Sequence, residues 1–193
     1  MGLKRREENP GYTGDEEFNF FMAVIFPDSD LKVFDYNRVV KDLNGNTADE
    51  FIEKIKAAGF DVEKKGADIY RPEKKHAFGM FLEDCWYKIT APPAIVPDDV
   101  IDSLDVSILQ NKVLAPVLGI NDPRTDKRID FVGGIRGLSE LERRVKSDMK
   151  VAFAVYPVEI ADLLKVSDEG KVMPPKSTWF EPKLGSGLFV HEL

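Results

Sequence analysis

The sequence predicts a mixed α+β domain, with a largely antiparallel or mixed sheet and about four helices packed on it. Two kinds of apolar pattern support this. Short blocks such as Phe78-Gly-Met-Phe-Leu82 and Val151-Ala-Phe-Ala-Val-Tyr156 suit strands, whereas residues 98–118 and 138–145 repeat apolar positions at helical spacing. Two junctions, Pro27-Asp-Ser-Asp30 and Glu83-Asp84, are also short enough to close hairpins.

Residues 1–17 carry Lys4-Arg5-Arg6-Glu7-Glu8 followed by Asn9-Pro10-Gly11 and Thr13-Gly14. Charged and turn-rich, they read as the end of a helix plus a linker, as though another segment preceded them. One domain is expected over 18–193. The run Phe18-Asn-Phe-Phe-Met-Ala-Val-Ile-Phe26 has the unbroken hydrophobicity of a strand buried on both faces, and residues 31–40 are expected to return beside it. Thr47 with Glu50 three positions on forms a capping box; Phe51, Ile52 and Ile55 give the helix an apolar face and Gly59 ends it. Residues 78–82 and 85–89 then flank the Glu83-Asp84 turn. Residues 98–118 predict one long helix, bent by Pro116. Beyond it the patterning predicts a strand at 128–132, a helix at 138–145, a strand at 151–156, a helix at 160–166 and a last strand at 188–190.

With 193 residues, 43% of them hydrophobic, the chain can bury a sizeable core without staples. The excess of 34 acidic over 27 basic residues argues against general binding to nucleic acid or anionic membranes. No apolar run approaches the roughly 20 residues of a bilayer span, and no apolar stretch of the signal-peptide kind follows the N-terminal basic residues. The single cysteine, Cys85, excludes an intrachain disulfide, which suits a cytoplasmic location; beside Trp86 and Tyr87 it reads as a packing residue. His76 and His191 with one cysteine do not complete a zinc site, and no Gly-x-Ser-x-Gly elbow is present. Phe20, Phe21, Phe81, Trp86 and Phe153 are expected in the core.

Two motifs carry chemistry suited to anions. In Pro123-Arg124-Thr125-Asp126-Lys127-Arg128-Ile129-Asp130 three cations enter a strand ending in Gly133-Gly134. A guanidinium fork matches phosphate or carboxylate, Asp126 or Asp130 could orient it or hold a divalent ion, and the glycines would let backbone approach a ligand. The alternative is a surface turn whose charges pair among themselves, at no more than about 1 kcal/mol per pair. Near the C-terminus, Lys176, Ser177 and Thr178 with Lys183 offer two ammoniums around two hydroxyls. They lack the glycine-rich approach of a phosphate-binding loop, and the prolines around them suit an extended structural connection equally well.

The runs 35–45, 102–110 (Asp-Ser-Leu-Asp-Val-Ser-Ile-Leu-Gln), 122–134 and 173–183 (Met-Pro-Pro-Lys-Ser-Thr-Trp-Phe-Glu-Pro-Lys) together resemble the bacterial and archaeal family known as domain of unknown function 1015. The resemblance implies a longer protein whose N-terminal half is ParB/sulfiredoxin-like and carries an Asp-Gly-His-His-Arg motif absent from this chain. It also implies kinship with kinases acting on free serine, hence a nucleotide with magnesium as cofactor of the whole protein, and no activity for this part alone. Relatives carry His-Arg where this chain has Asn37-Arg38; Arg38 keeps the charge and joins the anion-binding candidates. The expected partner is the chain's own N-terminal half or, alternatively, a second copy. Two functions remain open: the anion-binding half of a small-molecule phosphotransferase, or a structural or dimerisation module with no ligand of its own.

Overall fold

The computed structural model describes residues 2–25, 27–183, 185, 187 and 189–192. They form two units, Met1–Lys32 with Pro182–Leu193, and Val33–Glu181.

The larger unit is built on a six-stranded sheet of order β3-β5-β4-β7-β2-β6. Its strands are β2 (Tyr36–Val40), β3 (Asp61–Gly66), β4 (Ala77–Leu82), β5 (Cys85–Thr90), β6 (Ile129–Gly133) and β7 (Val151–Ala154). Every neighbouring pair runs antiparallel. β4 and β7 are buried at every position because both faces of the sheet are covered. On one face Val40, Phe78, Met80 and Phe153 pack with Phe51, Ile55 and residues between Ile108 and Ile120. On the other, Val39, Phe81, Trp86 and Ala152 pack with Leu138, Leu141 and Met149. A separate two-stranded sheet joins β1 (Lys32–Phe34) to β8 (Trp179–Glu181).

The local signals explain several elements. At α2 (Ala48–Ala57) the Thr47 hydroxyl accepts from the Glu50 N–H at 3.3 Å while the Glu50 carboxylate accepts from the Thr47 N–H at 2.8 Å, so two otherwise unpaired donors are satisfied. Glu83 and Asp84 take φ of 48° and 57°, as a two-residue hairpin between β4 and β5 requires. The helices α4 (Ser139–Ser147) and α5 (Ile160–Asp168) also follow the patterning. Cys85, Phe81, Trp86 and Phe153 are buried as expected.

Other expectations are corrected. Residues 98–118 do not form one helix. The Asp99 carboxylate accepts from the N–H groups of Ile101 (2.8 Å) and Asp102 (3.2 Å) and its carbonyl from the Ser103 N–H (2.9 Å), so Asp99 caps a single turn, which Leu104, extended at ψ 140°, ends. Helix proper is confined to α3 (Asp105–Leu109), which widens into a π-helical turn at Gln110–Leu114. The charged stretch 61–66 is strand β3, which the sequence left unassigned. Its outward-facing charges mask the pattern, since a sheet edge need bury only one face.

In the smaller unit, α1 (Gly2–Glu8) precedes a turn in which the Glu16 carboxylate accepts from the N–H groups of Thr13 (2.7 Å) and Gly14 (2.9 Å). The strand expected over 18–26 is absent from the described residues. Glu17–Asn19 is a 3-10 turn, and residues 20–25 have no regular structure. Phe20, Phe21, Met22, Val24 and Ile25 are exposed, so Phe20 and Phe21 are not core; Phe26 lies outside the described residues. β2 pairs instead with β6 and β7. At 188–190, Phe189 and Val190 are not in a strand and Leu188 lies outside the described residues. Among the described residues no helix is long and apolar enough to cross a membrane.

Candidate functional site

Alternation along β2 separates its two unusual polar residues. Asn37 falls on the face of Val39 and Arg38 on the face of Val40. Asn37 is fully buried and satisfied, accepting from the Val155 N–H at 3.0 Å and donating to Asp35. Arg38 stands opposite Phe131 in β6 and Phe153 in β7. It is only 4% exposed. Its guanidinium donates to the carbonyls of Tyr36 and Lys176, the latter at 3.1 Å, and lies 5.6 Å from the centre of the Phe131 ring. Among the described residues no carboxylate pairs with it. Burial pushes its pKa down to about 10, so it stays charged near neutrality. With five N–H donors and two of these bonds made, it keeps capacity for an anion.

Arg38 lines a cleft of about 470 Å³. Phe131, Val106, Pro174 and Pro175 supply apolar wall; Asp102, Ser107, Gln110, Asn111, Asn121, Asp122 and Arg124 supply polar groups. Gln110 is fixed by donation to the Ile120 carbonyl at 2.7 Å. Arg124 grips Asp122 through Nε (3.0 Å) and a terminal nitrogen (2.9 Å), which holds its carboxyl below the usual range; the arginine side chain remains 69% exposed.

The predicted site residues divide around this cleft. Of Arg124, Asp126, Lys127 and Arg128, Arg124 alone lines it. Arg128 binds Asp126 at 2.8 Å and donates to the carbonyls of Leu118 (3.0 Å) and Gly119 (3.1 Å), tying the entrance of β6 to the turn that follows the π-helical segment. Asp126 is occupied by that pair, and Lys127 is exposed away from the cleft. Lys176 takes φ 58° and sets its Nζ 5.4 Å from the Tyr36 ring centre and 6.0 Å from that of Phe131. Buried Ser177 donates to the Pro174 carbonyl at 2.5 Å, so this hydroxyl fixes the turn. Thr178 is half-buried, and Lys183 belongs to the other unit. The room beside Gly133 and Gly134 is taken by the protein itself. A Cβ on Gly133 would meet the Trp179 ring at 2.5 Å, and one on Gly134 the Asp35 carboxylate at 2.2 Å.

The sequence reading missed Asp102, Ser107 and Gln110, although their run 102–110 stood out as a whole. It also missed a second cavity, of about 190 Å³, where Asp105 meets His76. Among the described residues no group of three or more His, Cys, Asp or Glu is arranged to hold a metal ion.

These features define an α+β protein with a buried, carboxylate-free arginine in a mixed apolar and polar cleft. The chain belongs to the family described as "Protein of unknown function (DUF1015)", whose model matches residues 1–107. The matched part contains Arg38 and Asp105 and ends at 107, within the run 102–110; 122–134 and 173–183 lie beyond it. Among curated proteins, none matches this chain. Among solved structures it is similar to a free serine kinase in complex with AMP (16% identity, TM-score 0.46, covering 79% of this chain and 55% of that one). It is also similar to a conserved hypothetical protein from Pyrococcus furiosus (18%, 0.48, 79% and 57%) and to SbnI with a C-terminal truncation from Staphylococcus aureus (13%, 0.47, 86% and 55%). The chain thus spans little more than half the length of each.

Proposed function

We propose that the Arg38 cleft binds the phosphate or carboxylate of a small molecule, and that the chain is the ligand-holding part of a small-molecule phosphotransferase. One observation carries the binding reading: the guanidinium of Arg38 is buried at the wall of the cleft and is ion-paired with no carboxylate among the described residues, although Asp102 and Asp122, the latter held by Arg124, line the same cleft. Burying an uncompensated cation is costly, and an anionic ligand would offset that cost. Arg124 at the cleft would supply a second fork once released from Asp122, with Gln110 and Asn121 beside it as orienting groups. Phosphoryl transfer rests on the family resemblance, which assigns the reacting groups to other parts of a longer protein.

The competing reading, a structural module without a ligand, draws support from the loop at 122–128. There Arg124–Asp122 and Arg128–Asp126 pair locally, as in an ordinary surface turn. Calorimetric titration with inorganic phosphate separates the two readings. Saturable binding is expected, weakened roughly tenfold or more by Arg38→Lys, which loses the fork but keeps the charge, and less by Arg124→Lys. Absence of binding, or equal binding by both variants and the parent, would favour the structural module.

A further inference from the structure

The second cavity is built from elements distant in sequence. Lys75 and His76 come from the segment entering β4, Ser103 and Asp105 from the start of α3, Tyr156 from the segment after β7, and Asp162 from α5. Asp105 is its most constrained member, with a side chain 6% exposed. Its Oδ1 accepts from the backbone N–H of His76 at 2.9 Å and lies 3.1 Å from the ring Nδ1. Its Oδ2 is buried without any hydrogen-bond partner among the described residues. A buried carboxylate oxygen left unpaired is unfavourable, and it is rare in folded proteins. The same corner holds backbone in an uncommon conformation: His76 sits at φ 66°, a left-handed geometry that non-glycine residues adopt seldom and that recurs at ligand sites.

The charges lining the cavity favour one sign of ligand. Lys75 is bound by Glu159 at 2.8 Å and Asp162 at 2.9 Å, so its charge is already answered twice. His76 is pushed toward its neutral form by burial and by Lys75. Asp105 and Asp162 leave the cavity with a surplus of acceptors, and Tyr156 and Ser103 line it as further polar groups. Three metal-ligating side chains do not converge here, so a directional N–H donor suits the site better than a bare metal ion.

We infer that this cavity is a second ligand site, which takes a small primary ammonium group donating a hydrogen bond to the Asp105 carboxylate. The geometry defines the ligand by its ammonium head and by a body small enough for about 190 Å³. The site is separate in chemistry from the Arg38 cleft, which takes anions. α3 nevertheless serves both, with Asp105 at this cavity and Val106 and Ser107 at the other.

The test uses the purified chain, methylammonium as probe, and tetramethylammonium and potassium as controls that carry charge without an N–H donor. Binding is read from the Asp105 carboxyl carbon resonance and from the melting temperature. Methylammonium should saturate the site at about pH 8, and its apparent affinity should fall roughly tenfold by about pH 6, because the Asp105 carboxyl titrates near 7. Both controls should leave the Asp105 resonance in place, and Asp105→Asn should abolish the methylammonium response. The inference is overturned by any of three results: no saturation by methylammonium, an equal response to tetramethylammonium or potassium, or a response retained in Asp105→Asn. If that variant does not fold, the comparison of the three cations on the parent chain decides alone.

Discussion

Replacing Asp105 by Asn should make the protein more stable near neutral pH. Burial raises the Asp105 carboxyl from 3.8 to about 7, opposed in part by the His76 N–H and by Lys75. An acid whose folded value lies above its unfolded value holds its proton more tightly when folded. Its favourable contribution is therefore complete below about pH 3.8 and is lost as the pH climbs through about 7. Each factor of ten in proton affinity corresponds to about 1.4 kcal/mol, so the span from 3.8 to about 7 corresponds to at most about 4 kcal/mol. Asn has nearly the shape of the protonated acid, accepts the same His76 N–H and does not ionise. The variant should match the parent within about 1 kcal/mol near pH 4 and gain progressively until about pH 8, where the surplus is up to about 4 kcal/mol. Urea unfolding of both proteins across that range, in buffers without amines, measures the difference directly, and other carboxylates cancel because both proteins share them. A difference independent of pH would refute the reasoning, as would a variant less stable than the parent at about pH 8, since the buried ionisation would then not be the dominant effect at this position.

Two further changes test the packing that positions the clefts. Trp86→Ala should cost about 3–5 kcal/mol in chemical denaturation, because the ring is fully buried against Phe81 and its Nε1 donates to Glu142 at 2.7 Å; a cost below about 1 kcal/mol would contradict its place in the core. Gly134→Ala should destabilise by more than about 1 kcal/mol, because a methyl group there would meet the Asp35 carboxylate at 2.2 Å; an unchanged melting temperature would show that Asp35 swings clear without loss.

The parts of the fold legible in the sequence are those where one local signal met no competitor. The capping box at Thr47, the two-residue turn at Glu83-Asp84 and the apolar blocks of β4 and β7 each specify their own geometry, and the structure follows them. The misread segments are those where local and long-range effects diverge. The run 18–26 has the hydrophobicity of a central strand, but no ladder is offered to it among the described residues, and hydrophobicity alone does not create hydrogen-bond partners. Residues 98–118 carry helical periodicity throughout, yet the turn capped by Asp99 ends at the extended backbone of Leu104, and the helix starts afresh at Asp105. Apolar spacing does not report a single residue whose backbone leaves the helical region.

The same divergence decides which candidate site residues meet. Sequence proximity grouped Arg124, Asp126, Lys127 and Arg128, but local pairing places Arg128 on the carbonyls of Leu118 and Gly119 and leaves Arg124 as the loop's contribution to the cleft. The arginine central to the proposed anion site is Arg38, one residue between Asn37 and Val39 in β2. Its lack of a carboxylate partner is a property of three strands packed together rather than of any motif. Asp105 makes the point with the opposite charge. In sequence it is one acid in the run 102–110; in the fold, His76 reaches it across 29 positions and Asp162 of α5 lines the same cavity. A buried charge acquires its chemistry from what the rest of the fold leaves unpaired. Among the described residues Arg38 has no carboxylate partner and Oδ2 of Asp105 no donor, and the two proposed sites rest on that difference from every paired charge around them.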